Sequence, residues 1–181
     1  ANALSVLVVG GGIGGLTAAL ALSRAGCRVS VYEQAREFRP VGAGLQLSSN
    51  ALSVLERIDL PMGRQNAIDI EKTEVRDGIT GRLITHIATP ENRHTLVLSR
   101  AALQARLLEA VAADAAIELH TGAQMVDILD GKKLVSLTLA DGTMRSGDAL
   151  IGADGVWSQT RRFVNAARPD YSGRIAWRTV M

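Results

Sequence analysis

Three glycines near the start of the chain have a spacing that suits phosphate binding. Gly10, Gly12 and Gly15 form a G-x-G-x-x-G pattern. In this pattern the glycines allow a tight turn, close approach of the backbone to a pyrophosphate, and close packing of a helix on a strand. Glu33 follows at the distance where a carboxylate can accept both hydroxyls of an adenosine ribose and would repel a 2′-phosphate. The spacing therefore predicts a dinucleotide site and leaves NAD and FAD both open.

The elements around these glycines have the order strand, helix, strand. Apolar residues predict a strand at Leu4–Val9, a helix at Gly15–Ala25 and a second strand at Arg28–Tyr32. The N-terminus of such a helix offers unpaired N–H groups and the positive end of its dipole to phosphates. An ordinary tight turn could have the same glycines, but it would not require the flanking elements or the acid. The βαβ context therefore favours the dinucleotide interpretation.

The remaining chain alternates strands and helices and then forms an antiparallel meander. Pro61 and Gly63 predict that residues 58–72 are irregular. Periodicity and turn signals predict a helix at Ala51–Arg57 after Ser48 or Ser49, a hairpin of Lys72–Arg76 and Arg82–Ile87, a strand at Thr95–Leu98, a helix at Arg100–Ala113 capped by Ser99, a strand at Ile117–His120, a meander of Ala123–Leu129, Lys133–Ala140 and Thr143–Ser146, a strand at Ala149–Ile151, a helix at Ser158–Asn165 and a strand at Ile175–Val180.

Composition narrows the function classes. The chain has 181 residues, of which 47% are hydrophobic and 21% charged, as in an ordinary α/β domain. A net charge of +2 and 3% aromatic residues argue against a nucleic-acid partner. Cys27 is the only cysteine and the three histidines are dispersed, so no metal site is predicted. No apolar run reaches the roughly 20 residues that span a bilayer. We therefore expect no membrane partner and a cytoplasmic location.

Three further features follow predicted strands, where α/β folds place their ligands. Taken singly, each has an ordinary structural explanation: a surface glutamine, a first-turn arginine or a plain turn. Together with the glycine turn, they indicate a second part of one binding site. They are Gly42 and Gly44 with Gln46, Arg100 at the start of a helix, and the block Ile151–Gly155 with Ser158 and Arg161.

These blocks resemble the FAD-dependent aromatic hydroxylases of the para-hydroxybenzoate hydroxylase fold, with salicylate and 6-hydroxynicotinate hydroxylases as nearer relatives. The similarity rests on VVGGGIGGL, VYEQ, VGAGLQLSSNAL, LVLSRAALQARL, IGADGVWSQTRR and YSGRIAWRTVM. It implies FAD as cofactor, NADH or NADPH as co-substrate, and O₂ with a small phenolic or salicylate-like ring as substrates. Hydroxylation would proceed through a flavin C4a-hydroperoxide. The oligomeric state stays open, with a homodimer as one possibility.

The resemblance also implies roles for individual residues. Arg161 would brace the Asp-Gly loop or meet the nicotinamide cofactor. Gln46 stands where hydroxynicotinate-type enzymes have a histidine, and a glutamine cannot act as a general base. This argues against the hydroxynicotinate reaction, and no catalytic residue is identified. The implied cofactor-binding residues are Gly10, Gly12, Gly14, Gly15, Glu33, Gln34, Gln46, Arg100, Val126 and Asp154.

The expected fold class is α/β: a Rossmann-like FAD-binding βαβ sheet with an antiparallel β-meander, plus the start of a β-rich substrate domain. We expect residues 1–170 to form the FAD-binding domain, with a hairpin around residues 72–98 that belongs to the substrate domain. Residues 171–181 would be the first strand of a truncated substrate domain, because the family's third block, a Gly-Asp pair followed by a histidine and proline stretch, does not occur before Met181. The alternatives are a non-catalytic or truncated flavin-binding module and an NAD-dependent dehydrogenase. The dehydrogenase would need a catalytic His, Lys or Tyr constellation that we do not find.

Overall fold

The computed structural model describes residues 2–39, 44–63, 67–70, 72–88, 95–165 and 167–176. These residues form two units. The first unit contains the described residues within 1–40 and 104–177, and the second contains those within 41–103. The boundary between residues 1–170 and 171–181 that the sequence suggests stays a prediction.

The described chain contains twelve strands and three α-helices. A short 3-10 helix at Thr160–Phe163 follows the last strand. The strands are β1 (Ser5–Val9), β2 (Arg28–Glu33), β3 (Gly44–Leu47), β4 (Ala67–Asp69), β5 (Lys72–Arg76), β6 (Leu83–Ala88), β7 (Leu96–Ser99), β8 (Ile117–Thr121), β9 (Met125–Asp130), β10 (Val135–Leu139), β11 (Met144–Gly147) and β12 (Ala149–Gly152), and the helices are α1 (Ile13–Arg24), α2 (Ser49–Arg57) and α3 (Arg100–Ala112).

A four-stranded parallel sheet forms the centre of the first unit. Its strand order is β12-β1-β2-β8, and α1 crosses from β1 to β2. The last four residues of β1 are all buried. Near-continuous burial of this kind is typical of a parallel strand that is covered on both faces. The carboxyl ends of β1, β2 and β12 are brought together, since Val9 lies beside both Tyr32 and Gly152.

The antiparallel meander β9–β11 packs on one face of this sheet. Leu7, Val9 and Tyr32 from the sheet form one buried cluster with Met125, Ile128, Leu137 and Leu139 from the meander. In β10 the buried Leu137 and Leu139 are two residues apart on one face. In β9 the buried Met125 and Ile128 are three residues apart, because the irregular pairing lies between them. The core therefore lies directly behind the strand ends that carry the glycine turn.

The second unit contains two small antiparallel sheets. One has the order β3-β7-β4, and the other is the hairpin β5-β6. Leu47, Leu96 and Leu98 are buried on one face of the three-stranded sheet. On the other face, Gln46 and Ile68 are exposed on either side of Val97, which is their register partner in β7.

Most of the predicted elements are confirmed, including the βαβ unit, the hairpin and the meander. The predicted helix at Ser158–Asn165 is wrong in type and length, because the structure has the 3-10 helix Thr160–Phe163 there. The segment 58–72 is not wholly irregular, since it contains β4. Most of the predicted strand at Ile175–Val180 lies outside the described residues. None of the described helices combines the length and apolar character needed to cross a membrane.

Candidate functional site

Two glycines of the turn are required by the packing of the protein itself. Gly10 directly follows β1 and has φ +105°, a backbone conformation that residues with a side chain rarely adopt. A side chain at Gly10 would also collide with the carbonyl of Ala153, and one at Gly15 would collide with the carbonyl of Gly10. These two positions therefore allow α1 to start close against the end of β1, which is the close helix-on-strand packing that the spacing predicts.

Two further glycines of the turn, Gly12 and Gly14, border open space. A Cβ added at Gly12 or Gly14 would have no neighbouring atom within 4 Å. Gly12 is the N-cap of α1, no side chain caps this helix end, and its first turn contains no acid. The N–H groups of the first helical turn therefore remain available to an anion, and the positive end of the dipole lies here. Space and donors together fit a pyrophosphate.

Glu33 is tied to the glycine turn by its own carboxylate. The backbone N–H of Gly11 donates to Glu33 Oε2 at 2.6 Å, and the N–H of Ala35 donates to Oε1 at 2.8 Å. An ionised carboxylate has about four lone-pair positions, so roughly two remain for further donors. That capacity fits the two hydroxyls of a ribose. Gln34 is exposed beside it.

The Asp-Gly loop lies directly against the glycine turn, although more than a hundred residues separate them in the chain. Ala153 N donates to Val9 O at 2.7 Å. A Cβ added at Gly10 would come within 3.0 Å of Asp154 Cα. The parallel pairing of β12 with β1 produces this contact, because it places both strand ends at the same edge.

The Asp154 carboxylate is engaged within its own loop. Ser158 Oγ and Thr160 Oγ1 each donate to Oδ1 at 2.6 Å. The N–H groups of Gln159 and Thr160 donate to Oδ2 at 2.7 and 3.1 Å. Burial raises the pKa of Asp154, but the hydrogen bonds from Ser158 and Thr160 outweigh it and hold the pKa below the usual value for aspartate. The carboxylate is therefore ionised at neutral pH, with all of its acceptor positions occupied.

Val126 lies exposed on β9 beside an irregularity in the strand pairing. Asp127 pairs with Thr138 and Met125 with Leu139, which leaves Val126 without a direct partner in the ladder. Its carbonyl accepts a hydrogen bond from Arg162 Nη2 at 2.9 Å. A bulge of this kind turns backbone groups out of the ladder, so a ligand contact at Val126 would use its N–H or its second carbonyl lone pair.

Gln46 and Arg100 belong to the second unit. Gln46 is exposed on β3, and Arg100 is exposed as the first residue of α3, directly after β7. Ser99 Oγ accepts a hydrogen bond from Ala102 N at 3.4 Å, as the predicted N-cap should. Gly42 lies outside the described residues.

The structure thus brings the glycine turn, Glu33 and Asp154 together within the first unit, while Gln46 and Arg100 are on separate elements of the second.

Sequence reasoning missed three residues of this site. Gly11 supplies the N–H that binds Glu33, Thr160 supplies a buried hydroxyl to Asp154, and Arg162 binds the carbonyl of Val126. The signal for Thr160 was present, since a hydroxyl residue six positions after Asp154 can donate back to it. In the described part of the chain, no group of three His, Cys, Asp or Glu side chains is placed to hold a metal ion.

A parallel sheet with a glycine turn at one strand end and an acid at the next defines a dinucleotide-binding domain. The model of the "FAD binding domain" family matches residues 3–181, and the chain belongs to this family. This family membership decides between FAD and NAD, which the glycine spacing alone could not do.

Named relatives agree with this assignment. The chain is 34% identical over 185 residues to a 3-hydroxybenzoate 6-hydroxylase of Aquipseudomonas alcaligenes, covering 98% of this chain and 47% of that protein. Its structure superposes on 2,6-dihydroxypyridine-3-hydroxylase from Arthrobacter nicotinovorans with a TM-score of 0.80 at 26% identity, covering 95% of this chain and 42% of that one. The R204Q variant of Klebsiella pneumoniae HpxO complexed with FAD gives a TM-score of 0.74 at 26% identity, covering 88% and 42%.

These relatives are longer than the chain. It spans about half the length of the curated relatives that it matches. The family and the FAD-binding character therefore apply to the chain as it stands, whereas the reaction, substrate and partners of the whole protein are matters for proposal.

Proposed function

We propose that this chain is the FAD-binding part of an NAD(P)H-dependent monooxygenase that hydroxylates a phenolic or salicylate-like aromatic ring. The observation that carries the proposal is the contact between the Asp-Gly loop and the glycine turn at Gly10. The glycine turn and the Asp-Gly loop are two of the segments on which the resemblance rests. They are far apart in sequence but lie side by side in the structure, and the chain belongs to an FAD-binding family. The similarity to hydroxylases whose names specify hydroxybenzoate and dihydroxypyridine supports the aromatic class.

The residues of the first unit would hold the adenosine and pyrophosphate parts of FAD. Backbone N–H groups at the start of α1, beside Gly12 and Gly14, would bind the pyrophosphate. Glu33 would accept the ribose hydroxyls with the lone pairs that Gly11 and Ala35 leave free. Gln34 would lie beside the ribose, and the backbone of Val126 would meet the adenine.

The residues of the second unit would act toward the flavin end. Arg100 has the charge to bind a phosphate or to contact the ribityl region. Gln46 can donate and accept hydrogen bonds toward flavin or substrate but cannot remove a proton. FAD, when bound, supplies the redox chemistry that activates O₂, and the protein orients the ring and excludes water. In this proposal the described residues would bind and orient the cofactor.

A cytoplasmic location, NADH or NADPH as co-substrate and the route of oxygen transfer stay predictions from the sequence, and a homodimer stays one possibility. The assignment of the β5–β6 hairpin to a substrate domain also stays a prediction. Its apolar residues Leu83, Ile84 and Ile87 are exposed. A two-stranded hairpin is marginally stable alone, which supports the idea that it is part of a larger sheet.

The test is purification of the complete gene product and identification of its bound cofactor after acid release. We expect a yellow protein that releases FAD and oxidises NADH or NADPH with formation of a hydroxylated product when given hydroxybenzoates. Arg100→Gln should weaken FAD retention. Arg57→Gln, which changes another exposed arginine of the second unit, is the matched control and should not. A colourless protein that binds only NAD would overturn the proposal, and a yellow protein without hydroxylation would favour a flavin-binding module.

A further inference from the structure

Three side-chain oxygens meet beneath the end of β12. Asp154 Oδ1 lies 2.6 Å from Ser158 Oγ and 2.6 Å from Thr160 Oγ1, and the two hydroxyl oxygens are 2.9 Å apart. Each hydroxyl has one proton, so at most two of these three contacts are hydrogen bonds while Asp154 is ionised. Bonds to a charged acceptor are the shorter and stronger ones. Both hydroxyls therefore donate to Asp154.

Thr160 is buried against the end of β12. Apart from Tyr32, it is the only polar side chain that is buried among the described residues. A Cβ added at Gly152 would collide with Thr160 Oγ1 and would come within 2.8 Å of its Cβ. Gly152 therefore leaves the space that the threonine side chain fills. The hydroxyl is held in one place by the end of the strand, which makes it a fixed donor.

The loop that these bonds hold continues into the glycine turn. Ala153 and Asp154 lie against Gly10, and the backbone N–H groups of Gln159 and Thr160 close the loop on Asp154 Oδ2. Four donors from the loop occupy the carboxylate, and no lone-pair position is left for a ligand. A contact from the Asp154 carboxylate to FAD would have to break one of these bonds.

We propose that Thr160 is a positioning residue, whose buried hydroxyl fixes the Asp154 carboxylate inside the loop. In this role Asp154 shapes the loop against the glycine turn and does not itself contact FAD. The inference rests on the proposed function for the identity of the ligand. Under this inference Asp154 stabilises the conformation of the loop and does not bind the ligand, and Thr160 holds Asp154 in place.

The surroundings of Asp154 allow its titration to report on Thr160. The causes that shift its pKa are burial and the hydrogen bonds of its own loop. Asp154 lines a cavity along β12, and the other charged residues that line it are Asp130, Lys132, Lys133, Asp148 and Arg161. Keeping these residues unchanged in every variant leaves the hydroxyl as the single variable.

The test compares Thr160→Val, which keeps the shape, with Thr160→Ser, which keeps the hydroxyl. The complete gene product is used, with the carboxyl carbon of Asp154 titrated by NMR in the FAD-free protein and the FAD dissociation constant measured on each variant. Thr160→Val should raise the Asp154 pKa, and it should weaken FAD binding about tenfold, as expected for the loss of one hydrogen bond to a charged group. Thr160→Ser should restore both values.

Thr85→Val is the matched control, because Thr85 is exposed on β6 and valine is well accepted in strands. It should leave both quantities unchanged. An Asp154 pKa that is the same in Thr160→Val as in the natural protein would overturn the inference. If Thr160→Val does not fold, Thr160→Ala and Thr160→Ser are compared in the same way, and equal values in those two would also overturn it. Absence of FAD binding in the natural protein would instead contradict the proposed function, while the titration would still decide the role of Thr160.

Discussion

The two units both contain residues that we propose for one cofactor, but they hold those residues differently. In the first unit, Glu33 and Asp154 each accept hydrogen bonds from the backbone around them, and Gly10 and Gly15 are packed against other backbone atoms. In the second unit, Gln46 and Arg100 are exposed at their positions on β3 and α3. We therefore expect binding and folding to be linked in the first region and separable in the second.

The largest effect that this comparison predicts is for Gly15→Ala. The added methyl group would collide with the carbonyl of Gly10, so α1 would have to move away from β1. Overpacking of this kind costs about 1–3 kcal/mol, and we expect loss of FAD as well. The measurement is urea unfolding of the FAD-free protein, followed by FAD titration.

Gly14→Ala is the control that separates packing from ligand space. Its methyl group would meet no protein atom within 4 Å, so the free energy of unfolding should not fall. FAD affinity should still fall, because the methyl group would occupy space next to the N-terminus of α1. A Gly15→Ala protein as stable as the natural one would break the link between binding and folding in this region.

An intermediate effect is expected for Glu33→Ala. The substitution removes the acceptor for Gly11 N–H as well as the proposed acceptor for ribose. Hydrogen bonds to charged groups contribute about 1.5–3 kcal/mol, so FAD should bind roughly 10- to 100-fold more weakly. Flavin fluorescence titration measures this, with Glu33→Gln as the variant that keeps one carbonyl oxygen. Unchanged FAD affinity would count against the ribose role.

The smallest effect is expected for Gln46→Ala. Gln46 is exposed, so the free energy of unfolding should stay within about 0.5 kcal/mol of the natural value. Gln34→Ala is the matched substitution in the first unit, where Gln34 is also exposed. Thermal unfolding of both variants provides the measurement. If Gln46→Ala were as destabilising as Gly15→Ala, the proposed separation of binding from folding in the second unit would be wrong.

Elements whose partners lie close in sequence were the ones that the sequence predicted well. The βαβ unit, the hairpin and the meander form between neighbouring segments, and turn residues such as Asp77 and Asp141 mark their ends. β3 and β4 were not predicted. Both are short strands whose hydrogen-bonding partner, β7, is remote in sequence. Their apolar residues are too few to show a period.

The sequence predicted the positions of the site residues but not the hydrogen bonds that connect them. The glycine spacing correctly separates the close packing at Gly15 from the open space at Gly12. The helix expected at Ser158–Asn165 is a short 3-10 helix, because the N–H groups of Gln159 and Thr160 bind Asp154 and close a loop in its place. Hydrogen bonds from a side chain to a distant backbone group are not visible in a pattern of residue types.

The position of β12 in the sheet has a practical consequence for anyone who expresses this stretch of chain by itself. In the described part of the chain β12 has one neighbour, β1, so the other side of its backbone is not paired with a strand. Its residues Ala149, Leu150 and Ile151 are apolar and uncharged. A strand edge of this composition is a template for pairing with a second molecule. We therefore expect such a preparation to self-associate as its concentration rises, and a lysine on β12 to reduce that association.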